Sequence, residues 1–379
     1  MKKIKISMIG HKRIPSREGG VEIVVEELST RLVKMGYEVT CYNRNGHHVS
    51  GSNFDSENIN IYKGVKLKRV LTIDKKGLAA MTSSFFGALK IAFSDCNVVH
   101  FHAEGPCAMI WIPKLFGKRC IATIHGLDWQ REKWKGGFAS KYIKFGEKMA
   151  VKYADEIIVL SKNVQNYFKE YYDRQTNYIP NGVNKPVVKG AKIITDKFGL
   201  KKDEYFLFLG RLVPEKGLKY LVEAFKNVET NKKLVIAGGS SDTDDFFREI
   251  KEMSRDDSRI IYTGFVQGEI LDELYSNAYT YILPSDLEGM PLSLLEAMSY
   301  GNCCLTSDID ECVEVVGEYA MTFKKSDVSD LTSVLQMLSD NVDIVNHYKK
   351  NASHYICNKY NWDDVSLKTL ELYRGEHCE

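Results

Sequence analysis

The cysteine spacing offers no disulfide framework. Cys41, Cys96, Cys107, Cys120, Cys303, Cys304, Cys312, Cys357 and Cys378 include no CxxC pair, and several fall in apolar strand-like runs, as buried free thiols do. That usage points to a reducing compartment. A strong charge balance is also missing. Lys plus Arg total 52 against 50 Asp plus Glu, and a net charge of +2 is too small to argue for nucleic acid by itself. Long apolar runs are absent as well. The one at Met1–Gly10 stops at His11-Lys12-Arg13 with no signal-peptide core behind it. Leu78 to Phe93 carries Lys90 and many small residues, and is shorter than a bilayer span. No internal repeat or low-complexity segment is visible. A cytoplasmic protein without a transmembrane helix is expected.

What is present is an alternation of strand-like and helix-like segments. A chain of 379 residues is too long for one ordinary core, which suggests two domains, and 44% apolar with 27% charged residues suits a globular protein. In the first half Ile4–Ile9, Val39–Tyr42, Val98–Phe101, Cys120–Ile124 and Glu156–Leu160 read as strands. Val21, Val24, Val25, Leu28 and Leu32 recur at helical spacing, and Lys141–Tyr153 reads as another amphipathic helix. Turn residues crowd Ile179-Pro180-Asn181-Gly182-Val183-Asn184, and the alternation then restarts. Its strands are Tyr205–Leu209, Leu234–Ala237, Ile260–Tyr262, Tyr279–Leu283, Cys303–Thr306 and Ala320–Phe323. The expected class is α/β, with two doubly wound Rossmann-like domains facing across a cleft. The expected boundaries are 1–182 and 183–361, with 362–379 a terminal helix docked on one domain or crossing back to the first.

The richest stretch is Pro284-Ser-Asp-Leu-Glu-Gly-Met-Pro-Leu-Ser-Leu-Leu-Glu-Ala-Met-Ser-Tyr-Gly301. Glu288 falls in a strand-to-helix loop, where ligands bind in open α/β sheets, and Glu296 about two turns into the following helix, with Pro291 in its first turn. Backbone N–H groups at such a helix start can meet a phosphate, and carboxylates can accept bonds from sugar hydroxyls. Taken alone, the pair reads equally well as a loop residue and a solvated helix residue. Arg211 and Lys216, in Gly210-Arg211-Leu212-Val213-Pro214-Glu215-Lys216-Gly217, supply two cations suited to a diphosphate. Gly19-Gly20 stands just before the Val21 helix, where the backbone can approach a phosphate; a flexible turn is the plainer reading. Tyr42-Asn43-Arg44, rather than an acidic residue, ends the second strand, so a nicotinamide dinucleotide is disfavoured.

His100 and His102 share one face of a strand, as metal ligands can, but no carboxylate constellation accompanies them and a structural pair is the commoner case. His125, followed by Gly126 at a strand's carboxyl end, is better placed to touch a substrate. Asp242-x-Asp244 and Asp308-x-Asp310 match a DxD metal motif, but neither follows the strand that would present it, so both read as chance. From Lys114 to Lys152 there are ten Lys or Arg against three Asp or Glu, with Trp129, Trp134, Phe138, Tyr142, Ile143 and Phe145 interleaved. That segment suits an anionic membrane surface or a solvated helical face; no recognition motif supports nucleic acid.

Together these residues resemble glycosyltransferase family 4 of the GT-B fold. The matching pieces are Gly19-Gly20, His125, Ile179-Pro180-Asn181-Gly182-Val183, Gly210-Arg211 with Lys216-Gly217, and Glu288-Gly-Met-Pro through Glu296-Ala-Met-x-x-Gly301. They span nearly the whole chain in order. Ile14-Pro-Ser-Arg-Glu-Gly-Gly-Val-Glu22 and His125-Gly-Leu-Asp-Trp-Gln-Arg131 look like a bacterial subgroup that builds capsule, O-antigen and exopolysaccharide units and includes rhamnosyltransferases. The resemblance implies that Glu296 binds the nucleotide ribose, while Glu288 and the backbone of Gly289, Met290 and Pro291 hold the donor sugar. It implies that Arg211, Lys216 and the Gly19-Gly20 backbone neutralise the diphosphate, and that His125 faces the reacting sugar. It further implies a retaining, metal-independent transferase with no cofactor, its UDP-, dTDP- or GDP-linked donor being a substrate. The acceptor implied is a polyprenyl-diphosphate-linked saccharide, met by an enzyme peripheral to the membrane. A soluble sugar or sugar-phosphate acceptor is the alternative, and a non-catalytic nucleotide-sugar-binding protein is the alternative of another class. The chain departs from the family at Asp308-Ile309-Asp310-Glu311, where many members carry Asp-Ile-Gly-Gly.

Overall fold

The structure, a computed structural model, describes residues 4–45, 59–73, 75, 77–131, 137–239 and 244–375. Contacts divide the chain into two compact units, Met1–Asn181 with Trp362–Glu379, and Gly182–Asn361.

In the first unit the strands are β1 (Lys5–Ile9), β2 (Glu38–Arg44), β3 (Ile61–Tyr62), β4 (Val65–Val70), β5 (Val98–His102), β6 (Arg119–Ile124), β7 (Glu156–Val159) and β8 (Asn177–Tyr178). The helices are α1 (Gly20–Lys34), α2 (Leu78–Ala92), α3 (Glu104–Cys107), α4 (Trp111–Leu115), α5 (Phe138–Tyr153) and α6 (Lys162–Tyr172). The sheet order is β3-β4-β2-β1-β5-β6-β7-β8, parallel except for the β3–β4 pair. Every residue of β5 is buried, as expected of a central parallel strand covered on both faces. Near the edge, β4 alternates, with Val65 and Leu67 inward and Lys66 and Lys68 outward.

The second unit contains α7 (Ile193–Phe198), β9 (Tyr205–Leu209), α8 (Leu218–Lys226), β10 (Lys233–Ala237), α9 (Asp244–Met253), β11 (Ile260–Gly264), α10 (Glu269–Asn277), β12 (Thr280–Leu283), α11 (Leu292–Ser299), β13 (Cys303–Ser307), α12 (Asp310–Val316), β14 (Met321–Phe323), α13 (Val328–Asp340) and α14 (Val342–Lys359). Its sheet is parallel throughout, in the order β11-β10-β9-β12-β13-β14. The order reverses between β9 and β12, and such a switch point opens a crevice at the strands' carboxyl ends. Phe206, Phe208, Leu221, Phe225, Ile282 and Leu305 form the centre of its core.

The last helix, α15 (Trp362–Arg374), belongs to the first unit. The Tyr373 hydroxyl lies 2.6 Å from His100 Nδ1, and Arg119 Nε donates to the Leu372 carbonyl at 2.8 Å. Its apolar stripe, with Trp362, Val365, Leu370 and Tyr373 buried, explains why a helix so far along the chain packs there.

Candidate active site

In the second unit Arg211 and Lys216 lie on the loop between β9 and α8, and Glu288 on the loop between β12 and α11. Both loops leave the carboxyl ends of the two switch-point strands. Lys216 Nζ meets Glu288 Oε1 at 2.5 Å, with the two side chains only 13% and 9% exposed. Backbone reinforces the junction, since the Asp286 N–H donates to the Glu215 carbonyl at 2.9 Å. Gly217 has φ +70, and a Cβ there would stand 1.9 Å from the Pro284 carbonyl oxygen. The Lys-Gly sequence is therefore required on both counts: only glycine takes that backbone and lets the loops close.

Gly289 and Met290 are buried, and Pro291 caps the start of α11. Glu296 is the fifth residue of α11, just over one turn in rather than two, because the helix opens at Leu292 with Pro291 still extended. The Tyr275 hydroxyl donates to Glu296 Oε2 at 3.2 Å and holds the carboxylate. Burial, and then the Glu296 charge, push the Tyr275 phenol far above its ordinary value, so it remains a donor. The structure thus gathers Arg211, Lys216, Glu288, Gly289, Met290, Pro291 and Glu296 at one end of one sheet.

In the first unit Gly19 is extended and Gly20 opens α1. A Cβ on Gly19 would stand 2.6 Å from Glu22 Oε2, so the glycine leaves room for that carboxylate, whose Oε1 accepts the Lys12 N–H at 2.8 Å. His125 follows β6 at the same sheet edge, its Nε2 3.2 Å from His102 Nδ1. Glu22 is close enough to act electrostatically on His125 and on His11, which joins Asn43 at 3.0 Å. His125 is partly exposed as a residue, yet the surrounding protein removes enough water to push its pKa down to about 4. It is neutral at physiological pH.

The His125 loop has an anchor that sequence reasoning missed. Glu104 Oε2 accepts the Asp128 N–H at 2.8 Å, and Glu147 Oε2 accepts the Trp129 indole N–H at 3.2 Å. Tyr167 and Tyr172 donate to Glu147 Oε1 at 2.9 and 2.5 Å. Burial, followed by the charge of Asp128 and the neighbouring Glu147 carboxyl, raises the Glu104 carboxyl well above its ordinary range. Spacing alone offered no signal, because Glu104 and Glu147 lie on different helices.

His100 and His102 do share a face, with ring centroids 4.1 Å apart, but His100 is held between Tyr373 and Thr123. Among the described residues no group of three or more His, Cys, Asp or Glu is placed to hold a metal. Asp308 accepts the Lys325 N–H at 2.8 Å, and Asp310 opens α12. Asp242, Trp134 and Cys378 lie outside the described residues, and of Asp244 only the backbone is described. The basic aromatic segment divides: Ile143 is buried, Trp129 is tied to Glu147, and Phe138 and Phe145 face solvent. The eight described cysteines are free thiols, all buried but Cys357.

Comparison with known proteins bears on the family and the fold. The model described as Glycosyltransferase Family 4 matches residues 18–185, and that described as Glycosyl transferases group 1 matches residues 191–355. The chain belongs to the family 4 glycosyltransferases. An uncharacterized glycosyltransferase of Methanocaldococcus jannaschii is 26% identical, with 98% of each chain covered. An Escherichia coli UDP-Gal:alpha-D-GlcNAc-diphosphoundecaprenol alpha-1,3-galactosyltransferase is 26% identical over 73% of this chain and 75% of its own. The solved sucrose-phosphate synthase of Thermosynechococcus elongatus superposes with a TM-score of 0.85 at 22% identity, covering 98% of this chain and 99% of its own. The fold of this family 4 glycosyltransferase is GT-B, and its donor is a nucleotide sugar. No described helix is long and apolar enough to cross a membrane.

Proposed function

We propose that this glycosyltransferase moves a sugar from a nucleoside-diphosphate donor to a polyprenyl-diphosphate-linked saccharide, with retention of anomeric configuration and without a metal or other cofactor. The observation that carries the reading is the meeting of Lys216 and Glu288 at the switch point, with Glu296 on the adjoining helix. Arg211 and Lys216 neutralise the diphosphate, Glu296 accepts from ribose hydroxyls, and Glu288 with the Gly289–Pro291 backbone holds the sugar. In the first unit the Gly19-Gly20 helix start meets phosphate and His125 faces the sugar. The bond from the anomeric carbon to the β-phosphate oxygen breaks and the acceptor oxygen bonds to the same face. The acceptor proton passes to the leaving phosphate, and the pair electrons stay on the nucleoside diphosphate. Charge grows on that leaving group, so fixed cations lower the barrier more than they tighten ground-state binding.

The lipid-linked acceptor is supported by the diphosphoundecaprenol acceptor in the name of the Escherichia coli relative. Capsule, O-antigen or exopolysaccharide assembly at the cytoplasmic face of the membrane is the setting that follows, and a rhamnosyl donor belongs to the same reading. Transfer to detergent-dispersed lipid-linked and to soluble saccharides, run with a panel of UDP-, dTDP- and GDP-sugars, tests it. Transfer to the lipid-linked acceptor is expected. Turnover of the soluble acceptors alone would refute it.

A further inference from the structure

Helix α2 presents large apolar side chains on its outer face. It buries Ser83, Ser84, Gly87, Ala88, Ile91 and Ala92, and turns Phe85 and Leu89 outward, with Phe93, just past its end, continuing the same four-residue step. A surface helix of a globular protein ordinarily turns polar side chains that way. Helix α4 packs beside α2 and extends the stripe with Trp111, Leu115 and the adjoining Phe116. Phe93 and Phe116 meet edge to face with centroids 4.9 Å apart, while Phe93 and Leu115 each remain 72% exposed. Contiguous exposed apolar surface of this kind marks an interaction site.

The charge around it identifies the occupant. Helix α4 packs against both α2 and α5, and the three carry Lys90, Lys114, Lys141, Lys144, Lys148 and Lys152, of which Lys114 pairs with Asp155 and Lys144 lies over the Trp129 ring, while their sole carboxylate, Glu147, is buried. Phe138 and Phe145 project from the lysine face of α5. A second copy of the chain would bring two basic rims together. An anionic bilayer offers acyl chains to the aromatic stripe and phosphate headgroups to the lysines. We propose that the α2–α4 face, flanked by the lysines of α5, seats this protein on an anionic lipid bilayer. The inference deepens the lipid-linked reading above, but its argument uses neither the donor site nor the acceptor.

The test is flotation of the full-length protein with vesicles of phosphatidylcholine alone or with about 30% phosphatidylglycerol, without donor or acceptor. Wild type is expected to float with the anionic vesicles, and less so as salt rises. The variant Phe85→Ser/Leu89→Ser/Phe93→Ser should lose about tenfold in partitioning, and Lys141→Glu/Lys148→Glu/Lys152→Glu should lose the preference for anionic lipid. The same variants should retain wild-type transfer to a detergent-dispersed acceptor, which also shows that they are folded. Wild type that ignores anionic vesicles, or an α2 variant that floats as wild type does, overturns the proposal. So does an α2 variant that turns a dimer into a monomer with no change in flotation, which would assign the face to a second copy. Failure of transfer with flotation intact would refute the acceptor reading and leave the surface standing.

Discussion

Lys216 and Glu288 come from loops 72 residues apart in sequence and meet as an ion pair at 2.5 Å, nearly closed off from water. A pair of that kind fixes two loops as one body, and its disruption leaves the surviving charge stranded in a poorly solvated place. Lys216→Met and Glu288→Leu should therefore each cost about 3 kcal/mol in stability of the second unit, against a smaller loss in the double variant Lys216→Met/Glu288→Leu. Urea unfolding of the two singles and the double gives the coupling directly. The expected result is a double variant more stable than the sum of the singles. Transfer should fall about a hundredfold or more in each single, because phosphate charge and sugar position both depend on the pair.

Tyr275 acts through Glu296. Its hydroxyl donates to a carboxylate assigned to the ribose, so Tyr275→Phe removes one of the bonds that orient that carboxylate. A hydrogen bond to a charged group is worth about 1.5–3 kcal/mol, and solvent recovers part of it here. The donor KM should rise roughly tenfold with kcat little changed. Steady-state kinetics with saturating acceptor measure the split.

Three buried histidines and the partly exposed His125 make the first unit acid-labile. Burial pushes His100 down to about 3 and His11 and His125 to about 4, and drives His102 far below its ordinary value as well. The folded state keeps these rings neutral, whereas the unfolded chain takes up protons below about pH 6.5. Their stabilisation is thus complete above pH 6.5 and is lost as the pH falls towards 4, at up to about 1.4 kcal/mol per pH unit for each fully buried ring. Glu104, whose carboxyl is raised in the folded state, opposes this by at most one proton and does not reverse it. Trp111, Trp129, Trp134 and Trp362 all fall within the first unit, so tryptophan emission reports it alone. Denaturant midpoints read by that emission should drop steeply between pH 6.5 and 4.5, and a flat profile would contradict the account.

Burial and then the charge of Asp128 disfavour ionisation of Glu104 and raise its carboxyl well above the ordinary range. A glutamine can accept the Asp128 N–H with no proton to hold, so Glu104→Gln should match or exceed wild-type stability at pH 7 and retain transfer. Glu104→Ala removes the acceptor, loosens the His125 loop and should lower kcat several-fold. Paired thermal melts and transfer rates separate the two outcomes.

The central strands were legible in the sequence, since β9 runs over the expected residues and β1, β5, β6 and β12 differ by one at an end. Fully buried parallel strands are continuous apolar runs, which composition alone reveals. The edge was harder. β3, β4 and β8 were not among the expected strands, although Val65-Lys-Leu-Lys alternates with period two, and helix α5 begins at Phe138 rather than Lys141. The loop positions of Arg211, Lys216 and Glu288 were legible because each stands beside a glycine in a loop after a strand, whereas Glu296 sits within α11. The Lys216–Glu288 pair, Tyr275 beneath Glu296, and the Glu104–Glu147 anchor were not, because each joins residues that only the packed sheet brings together. The outward aromatics of α2 read as an ordinary apolar segment until burial assigned Ser83, Ser84, Gly87, Ala88 and Ile91 to the core and left Phe85 and Leu89 outside.

Transfer of sugar to a polyprenyl-diphosphate-linked saccharide by wild type and Glu288→Ala, followed by NMR of the anomeric proton, tests the account most directly. Wild type should give a product with the donor's anomeric configuration, in buffer with a metal chelator. Glu288→Ala should be slower by about a hundredfold or more. Transfer by Glu288→Ala at the wild-type rate, or an inverted product, would contradict it.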